Sequence, residues 1–114
     1  MCGWARYKIE YLKNWRRYVQ TLAEAAGSVI PGSETYVFGG AAENRLTVLS
    51  DIDVLVIIDK YLTDREKRRV KKSILDEASR RGLPWDYPVE IHVVSREESK
   101  KYFKYSGKLI KIRA

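Results

Sequence analysis

Residues 52–58, Ile-Asp-Val-Leu-Val-Ile-Ile, constrain the fold of this 114-residue chain more than any other stretch. The segment begins as an alternation and becomes continuously apolar from Val54 to Ile58. That is the pattern of a strand whose far end is buried on both faces. Such a strand needs a layer on each side of its sheet, so it is placed at the centre of a layered α/β structure.

The flanking sequence supplies those layers. Trp4, Lys8, Tyr11, Leu12, Trp15, Tyr18, Val19, Leu22, Ala25 and Ala26 recur at three- and four-residue steps and predict one long amphipathic helix ended by Gly27. Its aromatic side chains serve a core or an oligomer interface before a base-stacking platform. Pro31 and Gly32 break the chain before a β-prone run over 35–38 that stops at Gly39-Gly40. Thr63 with Glu66 forms a capping box, Leu62 precedes it, and Val70, Ile74, Leu75 and Ala78 mark the buried stripe of a helix over about 64–81. Pro88 opens a third strand over 89–94, with Val89, Ile91 and Val93 on one face and Glu90, His92 and Val94 on the other. Ser95 with Glu98 repeats the capping box for a short helix through about Tyr105, and Leu109, Ile110 and Ile112 follow as an edge strand. The order is helix, strand, loop or short helix, strand, helix, strand, helix, strand. It describes an α/β (α+β) sandwich in one domain over 1–114.

With 45% apolar and 32% charged residues the chain is expected to fold rather than stay disordered. The net charge of +7 is unevenly spread: +3 over 1–27, −3 over 28–63, +4 over 64–81, −2 over 82–95 and +5 over 96–114. A basic shell therefore surrounds an acidic centre. Clusters such as Lys67-Arg68-Arg69-Val70-Lys71-Lys72 raise a nucleic-acid-binding reading, but no RNA-recognition motif or zinc pattern accompanies them. Nothing approaches the roughly 20 apolar residues of a membrane span, and the start lacks the apolar block of a signal peptide. A cytoplasmic location is expected. The single cysteine, Cys2, excludes an internal disulfide and a multi-cysteine zinc site. Gln20 as the lone glutamine, with only Asn14 and Asn44, leans toward a heat-adapted organism, a thermophile.

The acidic centre holds the candidate chemistry. Asp51 and Asp53, two residues apart at the start of a strand, project from one face about 6–7 Å apart. Their repulsion, on the order of a kcal/mol or more, calls for a positive charge between them. A divalent cation such as Mg²⁺ fits best, because it takes one or two carboxylates together with substrate phosphates. Glu90 would complete a three-carboxylate cluster able to hold two metals if the second and third strands are neighbours. Asp-X-Asp also caps helices and begins turns, so the pair alone does not decide the matter. Phe38-Gly39-Gly40-Ala41-Ala42 lets backbone amides approach a phosphate, though it lacks the lysine of a P-loop and the third glycine of a dinucleotide fingerprint. His92 reads either as a half-buried imidazole or as a proton or metal group. Trp85 and Tyr87, before the third strand, are candidates to stack on a base.

Taken together, Val37-Phe38-Gly39-Gly40, then Glu43-Asn44-Arg45, then Ser50-Asp51-Ile52-Asp53-Val54-Leu55-Val56, and a later apolar-Glu-apolar strand, resemble the nucleotidyltransferase superfamily of DNA polymerase beta. The chain is most similar in layout to the stand-alone minimal nucleotidyltransferases of archaea and bacteria, over nearly its whole length. The resemblance implies a small mixed sheet flanked by helices. It implies that Asp51 and Asp53 bind one or two Mg²⁺ ions bridging a nucleoside triphosphate such as ATP, with Glu90 as the third carboxylate. Gly39 and Gly40 would cradle the β and γ phosphates, Arg45 would meet a phosphate or stay solvated, and Ser50 would hold the loop. Gly40 stands where the family usually carries serine, which removes one hydrogen bond worth about 1 kcal/mol. The implied reaction is attack of a hydroxyl on the α-phosphorus with loss of pyrophosphate, AMP being the group moved. The implied acceptor is a tyrosine of a small helical HEPN-domain partner, toward which the enzyme acts as antitoxin. A non-catalytic partner-binding module and a basic nucleic-acid binder are the competing readings.

Overall fold

The computed structural model describes residues 3–47 and 49–113. Cys2 lies outside them, as does the side chain of Trp4. The elements are α1 (Gly3–Lys13), α2 (Trp15–Val29), β1 (Glu34–Phe38), β2 (Ile52–Ile58), α3 (Asp64–Arg80), β3 (Val89–Ser95), α4 (Arg96–Tyr105) and β4 (Ile110–Ile112).

The long N-terminal helix is in fact two. At Asn14 both the backbone N–H and the side-chain Nδ2 donate to Glu10 O, at 3.1 and 3.0 Å. The backbone of Asn14 itself leaves helical geometry, at φ −98° and ψ 24°, and divides α1 from α2. Gly27 does not stop the helix either; α2 continues to Val29. The stop comes from Pro31, whose ring disfavours the helical region for the residue before it. Ile30 accordingly is extended at φ −131°, ψ 92°, while its N–H still donates to Ala26 O at 2.8 Å.

The four strands form one mixed sheet in the order β3-β2-β1-β4, with β2 parallel to β3 and β1 antiparallel to both β2 and β4. On one face α2 and α3 bring Val19, Leu22, Ile74 and Ala78 onto Val37, Ile52, Val54, Val56, Ile91 and Val93. On the other, Leu55, Ile57 and Val94 form a smaller core with Tyr36, Phe38, Tyr102 and Leu109. Val94 lies on the face its alternation dictates, yet it is buried, because α4 covers that face through Tyr102. Both capping boxes form: Thr63 Oγ1 accepts from Glu66 N at 3.2 Å, and Ser95 Oγ accepts from Glu98 N at 3.1 Å. Lys67 Nζ donates to Glu98 Oε2 at 2.6 Å and ties α3 to α4.

On this second face Tyr102 of α4 reaches as far as Phe38, 5.6 Å away, which is the register partner of Asp53 at the near end. There the C-terminus of β1 meets the N-termini of β2 and β3. Among the described residues no helix is long and apolar enough to cross a membrane.

Candidate active site

Asp53 is the second residue of β2 and shares a face with Leu55 and Ile57. The register sets it opposite Phe38 on β1 and Glu90 on β3. One strand face thus changes from apolar to acidic at this end of the sheet. Donor atoms of Asp53, Glu90 and His92 lie within 4.8 Å of one another. His92 Nε2 is 3.8 Å from both Asp53 Oδ1 and Glu90 Oε1. Burial pushes the Asp53 carboxyl above its usual range; the nearby His92 opposes the rise, and Glu90 and Asp51 add to it by like-charge repulsion.

Asp51 precedes the first ladder pair, Ile52 with Val89, and so is not held in the strand pleat. Its carboxylate is exposed and stands outside the group of three, 3.8 Å from Lys8 Nζ. Its charge still reaches Asp53. Lys8 itself, on α1, is only 19% exposed, which is unusual for a lysine. As the one charged residue in the apolar stripe of the N-terminal segment, it carried a sequence signal that periodicity alone treats as noise.

Gly39 follows Phe38 at φ +70°, in the left-handed region. Gly40 opens a single turn in which Glu43 N donates to Gly39 O at 3.1 Å and Arg45 N to Gly40 O at 2.7 Å. Ala41 and Ala42 are buried beneath it. Arg45 pairs with Glu43 at 3.2 Å and keeps an exposed guanidinium. Ser50 Oγ accepts from Thr47 N at 2.9 Å, and Ser50 N donates to Thr47 O at 3.0 Å, closing the loop just ahead of Asp51.

A family model of the nucleotidyltransferase domain matches residues 12–112. The chain belongs to the nucleotidyltransferase domain family. A solved structure of a candidate nucleotidyltransferase from Sulfolobus solfataricus is similar, with a TM-score of 0.61 at 19% identity, covering 97% of this chain and 87% of that one. At that identity the likeness speaks for the fold, a small mixed sheet flanked by helices. No curated protein matches the sequence.

In this nucleotidyltransferase the donor set fits a divalent cation. Two carboxylates and one imidazole converge without a lysine or arginine between them among the described residues, and His92 Nε2 is closed to solvent without a hydrogen-bond partner. The aromatic residues divide. Tyr87 is buried and donates through its hydroxyl to Tyr11 O at 3.1 Å, so it packs the fold and has no face free for a base. Trp85 is 92% exposed. A cavity of about 620 Å³ opens at the opposite end of β2, lined by Ile30, Ile58, Leu62 and Val70, away from the carboxylates.

Proposed function

We propose that this nucleotidyltransferase moves a nucleoside monophosphate, AMP from ATP, to a hydroxyl in a Mg²⁺-dependent reaction. The observation that carries the reading is the placement of Asp53 and Glu90 in register on adjacent parallel strands, with Gly39 pressed against Asp53. Asp53 and Glu90 would hold Mg²⁺, with Asp51 joining from the segment ahead of β2. The ion, when bound, supplies neutralisation of triphosphate charge.

The chain's own groups do the rest. The turn at Gly39 and Gly40 would present backbone rather than side chains to the phosphates, with Lys8, 3.8 Å from Asp51, and the exposed Arg45 adding positive charge. The acceptor oxygen forms a bond to the α-phosphorus as the bond to the β-phosphate oxygen breaks, and pyrophosphate leaves. Glu90, with 56% of its side chain exposed, has room to take the proton that the hydroxyl gives up.

The resemblance to minimal nucleotidyltransferases points to a tyrosine of a HEPN-domain partner as the acceptor, in an antitoxin role. In this reading [α-³²P]ATP with Mg²⁺ labels such a partner, [γ-³²P]ATP does not, and the Asp51→Asn/Asp53→Asn double variant removes the label. Labelling unchanged in the double variant would overturn the assignment. The basic face of α3 is the observation behind a nucleic-acid reading, but Lys67 and Lys72 pair with Glu98 and Asp76. That reading requires RNA or DNA affinity that falls steeply with salt.

A further inference from the structure

His92 is the one side chain of the site that a purely carboxylate mechanism leaves without a task. Its ring is 28% exposed overall, yet Nε2 is shut off from solvent and has no hydrogen-bond partner. A buried polar atom left unpaired costs about 1–3 kcal/mol. The fold nevertheless holds it in place. The ring packs 5.4 Å from Phe38 and 6.1 Å from Tyr102, and β3 is fixed beside β2 by a parallel register that sets His92 against Leu55.

The direction in which Nε2 points explains why. It faces Asp53 Oδ1 and Glu90 Oε1 at 3.8 Å each, too far for a hydrogen bond to either. Neighbouring ligands of an octahedral ion at about 2.1 Å stand roughly 3.0 Å apart, so small side-chain rotations would bring these donor atoms onto one cation. Hydrogen bonding leaves the nitrogen idle, and coordination would use it.

We propose that His92 Nε2 ligates the cation held by Asp53 and Glu90, and that the resulting site of two carboxylates and one imidazole prefers Mn²⁺ to Mg²⁺. The inference rests on the reading of these carboxylates as a cation site. The chemistry of the ligands gives the preference. Mg²⁺ is a hard ion that takes oxygen, whereas imidazole suits transition metals; Mn²⁺ shares the preference of Mg²⁺ for carboxylate and phosphate oxygens yet, as a first-row transition ion, tolerates one imidazole better. The competing role for His92 is that of an imidazolium set between two carboxylates as a counter-charge. A protonated Nε2 has no lone pair for a metal, so the two roles exclude each other.

The test uses Mn²⁺ and, for comparison, Mg²⁺ as probes, with the wild-type chain and a His92→Gln variant whose fold is checked by circular dichroism. Pulsed electron paramagnetic resonance of the Mn²⁺-loaded wild type is expected to show ¹⁴N modulation from a coordinated imidazole, absent in His92→Gln. The variant is also expected to lose Mn²⁺ affinity by about tenfold or more, the scale on which even the outer partners of metal ligands act, with Mg²⁺ affinity changing much less. Mn²⁺ bound without ¹⁴N coupling would overturn the role of His92 and leave the carboxylate site standing. Failure to bind Mn²⁺ at all, with or without ATP, would overturn both.

Discussion

Gly39 and Asp53 stand so close that a Cβ built at position 39 would lie 2.5 Å from Asp53 Oδ2, so any side chain there displaces the carboxylate. The glycine turn after β1 and the carboxylate on β2 are therefore one unit. Moving either shifts the other, which ties the proposed phosphate-binding backbone to the proposed cation ligand.

Gly39→Ala is expected to cost about 1–2 kcal/mol from its left-handed backbone alone, and more from the displaced carboxylate. Urea denaturation measures the loss, and ATP binding should fall with it. A variant as stable as wild type would show that the turn relaxes freely.

Gly40 is different. Its φ is not positive, and a Cβ there would meet Arg45 O and Leu46 Cδ2 at 3.5 Å and Arg45 C at 3.7 Å, all ordinary contacts. Gly40→Ser should leave stability within about 0.5 kcal/mol of wild type. If the new hydroxyl meets a phosphate, ATP binding tightens about fivefold, the worth of roughly 1 kcal/mol for one hydrogen bond. Calorimetric titration with ATP and Mg²⁺ reads the change, and weaker binding would place residue 40 away from the phosphates.

Asp53 carries a stability cost with a definite pH sign. Burial raises its pKa in the folded protein, so the folded state holds this proton more tightly than the unfolded chain does. Its contribution to stability falls as pH rises through the carboxylate range. Asp53→Asn should therefore raise the Tm at pH 7 and raise it less at pH 4. A lower Tm at pH 7 would contradict this.

Glu98 works in the opposite direction. The hydrogen bond from Lys67 and then the backbone hydrogen bond at Ser95 hold its carboxyl down at about 2, against an ordinary 4.5. The stability it adds is present above that ordinary value and is lost as pH falls toward 2. Glu98→Ala is expected to cost about 2 kcal/mol at pH 7 through the lost cap and ion pair. The gap to wild type should narrow in urea titrations below pH 4.

Most of the fold was legible because its signals are local. The run at 52–58 matches β2 residue for residue, and the two capping boxes mark the starts of α3 and α4. What escaped were competitions and pairings. Asn14 divides the first helix where its backbone leaves helical geometry, and Pro31 rather than Gly27 ends the second, each a case of one residue overriding a periodic pattern. At the site, alternation puts Glu90 and His92 on one face of β3, but bringing them to Asp53 takes the register of a parallel pair, which no local signal encodes. Asp51 shows the converse. The period-two argument that aligns it with Asp53 holds only within a strand, and Asp51 precedes one.

The carboxylates around Asp53 are proposed to hold a cation through which a nucleoside triphosphate binds. Thermal unfolding with ATP tests it most directly, each sample compared with its own ATP-free control. With Mg²⁺ and ATP at about one hundred times its Kd, linkage should stabilise the wild type by about 2.7 kcal/mol and raise the Tm by several degrees. EDTA, or the Asp53→Asn substitution, should remove the ATP-induced rise. An equal rise in wild type and Asp53→Asn, or no rise in the wild type with either Mg²⁺ or Mn²⁺, would contradict the account.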